Sequence, residues 1–360
     1  PNNVTISGHS AGGYSVPLLM ASPQSKGLFH KAIAQSGVLP SMSHLTESCF
    51  GKPSAEEQGL EYARLVKQTS LEGLRRLPAD VLVAPLNQMN SREQLRDVVI
   101  DNWLFHDQLI NTFEQGKQQD VPFMVGYTSS ESSYMMTEYD LEYPKNKKQY
   151  CSAVSERFGD LTDDFINQYP PSDLKQATLA SLGDGLFGWA AQKYARTASA
   201  MGSNTYLYYF DHSMSWAKKM GVDAFHGADV LLQYSGLLNY KPGELLDMGL
   251  PNVPAFSVTE EDLLMADMLM GYCASFAKHG DPNSEGRPEW PVFDRIGLSY
   301  IAFTEGQAHQ KQNLCPGMFE LHDKIVTKRR EQKIVWFTDV GLLSPVITSS
   351  NTTCSGLTEP

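Results

Sequence analysis

No run of apolar residues in this 360-residue chain is long enough to span a bilayer. The longest tract near the C-terminus, 334–347, is interrupted by Asp339 and Pro345, whereas a membrane helix needs about 20 consecutive apolar residues. Positive charge is scarce: 29 Lys and Arg stand against 41 Asp and Glu, for a net charge of −12. That balance argues against nucleic acid or an anionic membrane as the main partner. It keeps the protein soluble and mildly favours neutral or cationic ligands. Cysteine is sparse, with five residues at Cys49, Cys151, Cys273, Cys315 and Cys354. They form neither C-x-x-C nor any Cys/His spacing of a zinc site, so no structural metal is expected. They allow one or two disulfides, and the odd count leaves at least one thiol. No internal repeat and no low-complexity block is present. What remains is an ordinary globular composition, 41% hydrophobic and 19% charged, long enough for one large core or two domains.

Against that background one stretch stands out. Val4-Thr5-Ile6-Ser7-Gly8-His9-Ser10-Ala11-Gly12-Gly13 reads as a buried strand that runs into a glycine-flanked serine and then a helix, the pattern of a nucleophile elbow. A serine on so tight a turn leaves no room for side chains two positions away, which assigns Gly8 and Gly12. The helix start aims the Ala11 N–H and the positive end of its dipole at an oxyanion forming beside Ser10.

Further on, strands alternate with helices. Ala32 to Gly37 fits a short strand, and Ala55 to Gln68 an amphipathic helix with Glu56 and Glu57 at its start, followed by two short helical patterns to about Leu86. Val121 to Tyr127 reads as a buried strand, 147–201 as mostly helical, and Thr205 to Phe210 as a strand rich in aromatics. A long helix runs from an N-cap at Thr259 to stop signals at Gly280 and Pro282, and Ser299 to Phe303 is a late strand. The alternation specifies α/β with a mostly parallel sheet. An elbow strand sits in the middle of such a sheet, yet Pro1 lies only a few residues before it. Further strands are therefore expected upstream of residue 1.

A serine becomes a nucleophile when a histidine takes its proton and an acid fixes that histidine's tautomer. After an elbow, chain order runs serine, acid, histidine. Glu131 lies in the loop that closes the 121–127 strand, with Asp101 and Asp107 as competitors. For the base, His212 ends the Thr205 strand and His226 follows in Phe225-His226-Gly227. Position alone does not separate the two.

Resemblance does. Ala11 to Ser15, Leu28 to Ile33 leading into Gln35-Ser36-Gly37, Val121 to Gly126 with Glu131 five beyond the glycine, Tyr206-Leu207-Tyr208, and Phe225-His226-Gly227 occur in that order. They are followed by Phe276-Ala277-Lys278, Gly280-Asp281-Pro282-Asn283 and Trp290-Pro291. In these segments, over about residues 1–335, the chain resembles the type-B carboxylesterase and cholinesterase family of α/β-hydrolases. The resemblance implies the C-terminal part of a single α/β-hydrolase domain over 1–335 with a tail at 336–360, helices on both faces of the sheet, and N-terminal strands outside this chain. It implies Glu131 as triad acid, His226 as base, Ser36 as a supporting hydroxyl, and His212 as structural. It also implies a small-molecule ester substrate, no cofactor, and Tyr134 as a ring lining the substrate gorge, with Trp103, Phe105 and Phe225 as further aromatics and Met135 and Met136 as an adaptable wall. Lipase, general esterase, choline esterase and a non-catalytic adhesion module are the alternatives within it. Adhesion members have lost the triad, and all its positions are present here.

The chain departs from the family pattern in three ways. His9 replaces the family's Glu before the nucleophile, which removes a carboxylate that in cholinesterases helps to hold a cation and makes His9 a substrate-site candidate. No cysteine pairs of the animal cholinesterases occur near 66–77 or 187–190. The family's glycine-rich oxyanion loop and choline-site Trp fall upstream of residue 1. The resemblance and the sequon Asn351-Thr352-Thr353 point to the secretory route, while a second sequon, Asn3-Val4-Thr5, opens the elbow strand.

Overall fold

Alternating apolar side chains place a sheet between two layers of helices. The computed structural model describes residues 2–84, 98–133, 143–234 and 258–336. Tyr134, Met135, Met136, Leu86, Cys354 and the sequon at Asn351 lie outside the described residues. The central sheet has the order β1 (Thr5–His9), β2 (Lys31–Gln35), β5 (Phe123–Thr128), β6 (Thr205–Phe210), β7 (Ser299–Thr304), β8 (Gln307–Gln312). The first five of these run parallel, and β8 returns antiparallel. Its two-residue turn, Glu305-Gly306, has positive φ at both positions, as a type I′ hairpin requires. A two-stranded parallel sheet, β3 (Ser43–His44) with β4 (Val99–Ile100), stands apart.

Successive strand side chains point to opposite faces. Ala32, Ala34, Phe123, Val125 and Leu207 join one apolar cluster, while Ile33, Met124, Tyr206, Tyr208 and Phe210 join the other. The first cluster is closed by α1 (Ala11–Ala21) and the helices Leu109–Glu114 and Trp189–Met201. The second is closed by Ala228–Gln233 and Glu260–His279. The long helix starts with a capping box between Thr259 and Asp262 and ends at Gly280 in a left-handed turn, as its sequence signals predict. β2 and β5 are buried along their whole length. The sequence predicts a buried β1, but it is mostly half-buried; among the described residues β2 is the strand paired with it. Trp336, placed by the sequence reading at the start of the tail, is fully buried and donates its indole N–H to the Leu39 carbonyl at 3.0 Å. The described cysteines form no disulfide.

Close backbone contact seats the elbow. Ser10 lies at φ 58, a left-handed conformation that costs of order 1–3 kcal/mol for a residue with a Cβ. Its N–H donates to the Gln35 carbonyl at 3.0 Å, and its own carbonyl accepts the Tyr14 N–H at 2.9 Å as α1 begins. A Cβ on Gly8 would lie 2.3 Å from the Gly12 carbonyl oxygen, and one on Gly13 would lie 2.3 Å from that of Gln35. A Cβ on Gly12 would meet nothing within 4 Å. The steric need assigned to Gly12 therefore belongs to Gly13, because α1 touches β2 through the side that Gly13 presents.

The 147–201 stretch is helical as expected, but one segment, Asp184–Gly188, winds as a single π turn between Leu174–Gly183 and Trp189–Met201. Asp184 accepts the Tyr169 hydroxyl at 3.0 Å, and the Tyr169 oxygen lies 2.8 Å from His322 Nε2. Burial pushes Asp184 up from 3.8 to about 7, against the Tyr169 hydrogen bond, and pushes His322 down to about 3, with the Arg329 charge acting the same way.

These contacts generate two predictions. Gly8→Ala is expected to destabilise the fold by about 1–3 kcal/mol or more through overpacking, whereas Gly12→Ala is expected to be neutral to slightly stabilising. Thermal unfolding of the two variants, side by side, is the measurement, and equal melting temperatures would contradict the assignment. Asp184 keeps its proton in the folded protein up to about pH 7, while the unfolded chain releases it near 3.8. Its contribution is thus complete below 3.8 and lost as pH rises through 7. Asp184→Asn should match wild type in stability at low pH and exceed it increasingly up to neutral pH, by a few kcal/mol at most. Urea unfolding across that range would read the difference, and a constant gap would refute it.

Candidate active site

Parallel strands bring their C-terminal ends to one edge of the sheet, the place where open α/β folds build sites. Ser10 follows β1, Ser36 follows β2, the loop carrying Glu131 follows β5, and the segment leading to His226 follows β6. Those four strands are consecutive neighbours in the sheet.

Backbone hydrogen bonds join the loops. Ser129 N–H donates to the Phe210 carbonyl at 2.8 Å and Ser130 N–H to that of Ala224 at 3.1 Å. Ser130 and Phe225 thereby pair as an isolated parallel bridge, which sets Glu131 beside His226. The Ser133 hydroxyl ties the same loop to the Val222 carbonyl at 2.7 Å.

Glu131 Oε2 is hydrogen bonded to His226 Nδ1. Its other oxygen accepts the Ser36 hydroxyl at 2.7 Å and the Thr128 N–H at 2.8 Å. The carboxylate side chain is 1% exposed and the imidazole 16%. Burial opposes ionisation of Glu131, but the His226 charge and the hydrogen bonds from His226, Thr128 and Ser36 outweigh it and hold the group below its ordinary 4.5. The His226 ring lies between two others, with His9 at 4.5 Å and Phe187 at 4.8 Å between centroids. Burial pushes His9 below its ordinary 6.5; the Asp229 carboxylate opposes that shift, His226 reinforces it, and Glu131 opposes it. Ala11 is the first residue of α1, so its N–H is one of the four that a helix leaves without an internal partner.

The competing residues are engaged elsewhere. His212 accepts the Gly306 N–H on Nδ1 at 3.3 Å, so its Nε2 carries the proton and donates to Asp262 at 2.8 Å. With both nitrogens bonded at 3% exposure, it has none left for a reacting group. Asp101 caps a turn by accepting the N–H groups of Trp103, Leu104 and Phe105, and Asp107 accepts from Gln108 and Asn111 at a helix start. Phe105 and Phe225 are core residues and Trp103 is exposed, so none of these is the ring facing His226. Among the described residues the phenylalanine ring beside His226 is Phe187, which the sequence pattern did not single out; the available signal is an aromatic among Gly183, Gly185 and Gly188 inside a helical stretch, where glycine is out of place. Among the described residues no group of three His, Cys, Asp or Glu could hold a metal ion, and no helix is long and apolar enough to cross a membrane.

Known proteins resemble this chain in sequence and in fold. Liver carboxylesterase 1 of Oryctolagus cuniculus is 28% identical over 348 residues, covering 86% of this chain and 58% of its own length. Carboxylesterase 5A of Felis catus is also 28% identical, over 81% of this chain and 54% of its own. The chain thus spans little more than half the length of these relatives. Among solved structures, PNB esterase superposes with a TM-score of 0.68 at 22% identity, covering 89% of this chain and 64% of that one, a likeness of fold. The family model described as the carboxylesterase family matches residues 1–318. With a match over most of its length and a mostly parallel sheet carrying an elbow at Ser10, the chain belongs to the carboxylesterase family.

Proposed function

We propose that this protein hydrolyses carboxylic esters through an acyl-enzyme, with Ser10 as nucleophile, His226 as general base and Glu131 as the acid that orients it. One observation carries the reading: a buried carboxylate, held on one oxygen by Ser36 and Thr128, is hydrogen bonded through the other to His226 Nδ1. A carboxylate on Nδ1 keeps the proton there and leaves Nε2 basic, the tautomer that accepts a hydroxyl proton. Ser10 then attacks the ester carbonyl while its proton passes to Nε2, and Glu131 stabilises the resulting imidazolium. That proton is delivered to the departing alkoxide as the tetrahedral intermediate collapses. Water repeats the sequence on the acyl-Ser10 ester and releases the acid. The Ala11 N–H supplies one oxyanion donor, and loss of one such donor typically costs about 10²–10³ in turnover. Ser36 holds the acid in place. His9 and Tyr134 are our candidates for contact with the substrate.

Ser10→Ala is expected to abolish hydrolysis of short aryl esters with the fold intact, and His226→Ala to do nearly the same. The double variant should lose little more, since triad members act as one unit. Glu131→Gln favours the wrong tautomer and should cost up to about 10⁴ in kcat. Activity that survives His226→Ala but disappears in His212→Ala would reverse the assignment of the base. A non-catalytic adhesion module would leave Ser10 unmodified by a fluorophosphonate, whereas the proposed enzyme is labelled there.

Charge discrimination separates the esterase reading from a choline esterase. With His9 where a carboxylate would steady a quaternary ammonium, preference for a butyrylcholine-type ester over its 3,3-dimethylbutyl analogue should stay within about tenfold in kcat/KM, or roughly 1.4 kcal/mol. His9→Glu should raise that preference. A wild-type preference far above tenfold would favour the choline esterase.

A further inference from the structure

Gln35 ends β2 and is used at both ends. Its carbonyl accepts the Ser10 N–H at 3.0 Å. Its side-chain Nε2 donates to Gln233 Oε1 at 2.6 Å and to Asp229 Oδ2 at 3.2 Å. Both partners lie on the helix Ala228–Gln233, whose N-cap, Gly227, directly follows His226. Asp229 Oδ2 also accepts the Tyr208 hydroxyl at 2.7 Å, and its Oδ1 accepts the Val230 N–H at 2.9 Å. Gln35, Asp229, Gln233 and Tyr208 are all buried. Met124, Leu269, Tyr272, Trp290 and Phe303 line the same region, where the Tyr272 hydroxyl and Trp290 N–H are already spent on the carbonyls of Pro288 and Leu207.

A carboxylate, two amides and a phenol are a poor choice for a core if stability is the only demand, since apolar packing of the same volume is often neutral or better. A fully satisfied polar network does something apolar packing does less well: it permits one geometry. Distance between a nucleophile and its base is the quantity that demands such a constraint, and an error of about 1 Å can cost 10²-fold in rate. Taking Ser10 and His226 as nucleophile and base, as proposed above, we infer that Gln35 is a positioning residue, a buried yoke that fixes the nucleophile's backbone relative to the helix that follows the base. Gln35 touches no substrate and acts through its partners. The network also reaches the base by a second route, because the Asp229 charge acts on His9, whose ring lies against His226.

The test uses Gln35→Met, close in length but unable to hydrogen bond. Its kcat on a short aryl ester and its rate of labelling by a fluorophosphonate should both fall about 10²-fold, with KM little changed. Gln35→Glu sets a second carboxylate against Asp229 and should be worse. The reciprocal pair Gln35→Glu with Asp229→Asn rebuilds a donor facing an acceptor and should recover most of the lost kcat, a rescue that a merely structural role does not predict. If Gln35→Met does not fold, Gln233→Met removes one end of the yoke without stranding a charge and should lower kcat several-fold. A folded Gln35→Met or Gln233→Met with wild-type kcat and labelling rate would overturn the yoke while leaving the triad in place. Failure of the wild-type protein to be labelled at Ser10 would overturn the triad reading and the yoke with it.

Discussion

The contact on which the site depends is the approach of α1 to the end of β2, close enough that backbone meets backbone without an intervening side chain. The Ser10 N–H on the Gln35 carbonyl marks it. A Cβ on Gly13 or on Gly37 would lie within 2.5 Å of the facing carbonyl oxygen. Only with both glycines in place can the chain leave β1 with Ser10 in a left-handed conformation and enter a helix at once. That strain is borne by the surrounding sheet, and it leaves the hydroxyl and the first helical N–H together at the strand ends.

Three carboxylates of the core region, Glu131, Asp229 and Asp184, are treated differently. Glu131 is held below its ordinary range by His226, Thr128 and Ser36, in spite of burial. Asp229 is satisfied by a phenol, an amide and the first N–H beyond it on its own helix, where the dipole favours negative charge. Asp184, with Tyr169 as its hydrogen-bond donor, rises to about 7. The π turn that begins with Asp184 carries Phe187 onto the ring of the proposed base, His226. Departures of this kind from regular geometry concentrate at functional sites.

Membership of the carboxylesterase family accounts for the scaffold, and His9 gives the neighbourhood of Ser10 a second histidine beside His226. The residue before the proposed nucleophile is His9, whose ring is tilted against that of His226 and whose pKa is lowered chiefly by burial.

Local pattern was enough for several features, because the physics behind them acts over a few residues. The elbow at Ser10, the buried strands β5 and β6, and the cap at Thr259 follow from glycine spacing, β-propensity and capping chemistry alone. The order serine, acid, histidine narrowed the candidates to Glu131 against Asp101 and Asp107, and to His226 against His212. Local pattern could go no further, and only the family resemblance pointed to Glu131, His226 and Ser36, since hydrogen bonds across 95 residues, such as those of Glu131 with Ser36 and His226, leave no periodic trace. Tertiary structure decided that His212 is spent on Asp262 and Gly306, and that Gly13 rather than Gly12 faces β2. It also decided that Phe187 packs on His226 and that Gln35 bonds to Asp229 and Gln233, 194 and 198 residues further along on one helix. Short-range sterics write themselves into sequence; the pairing of distant polar groups is settled only when the sheet brings its strand ends together.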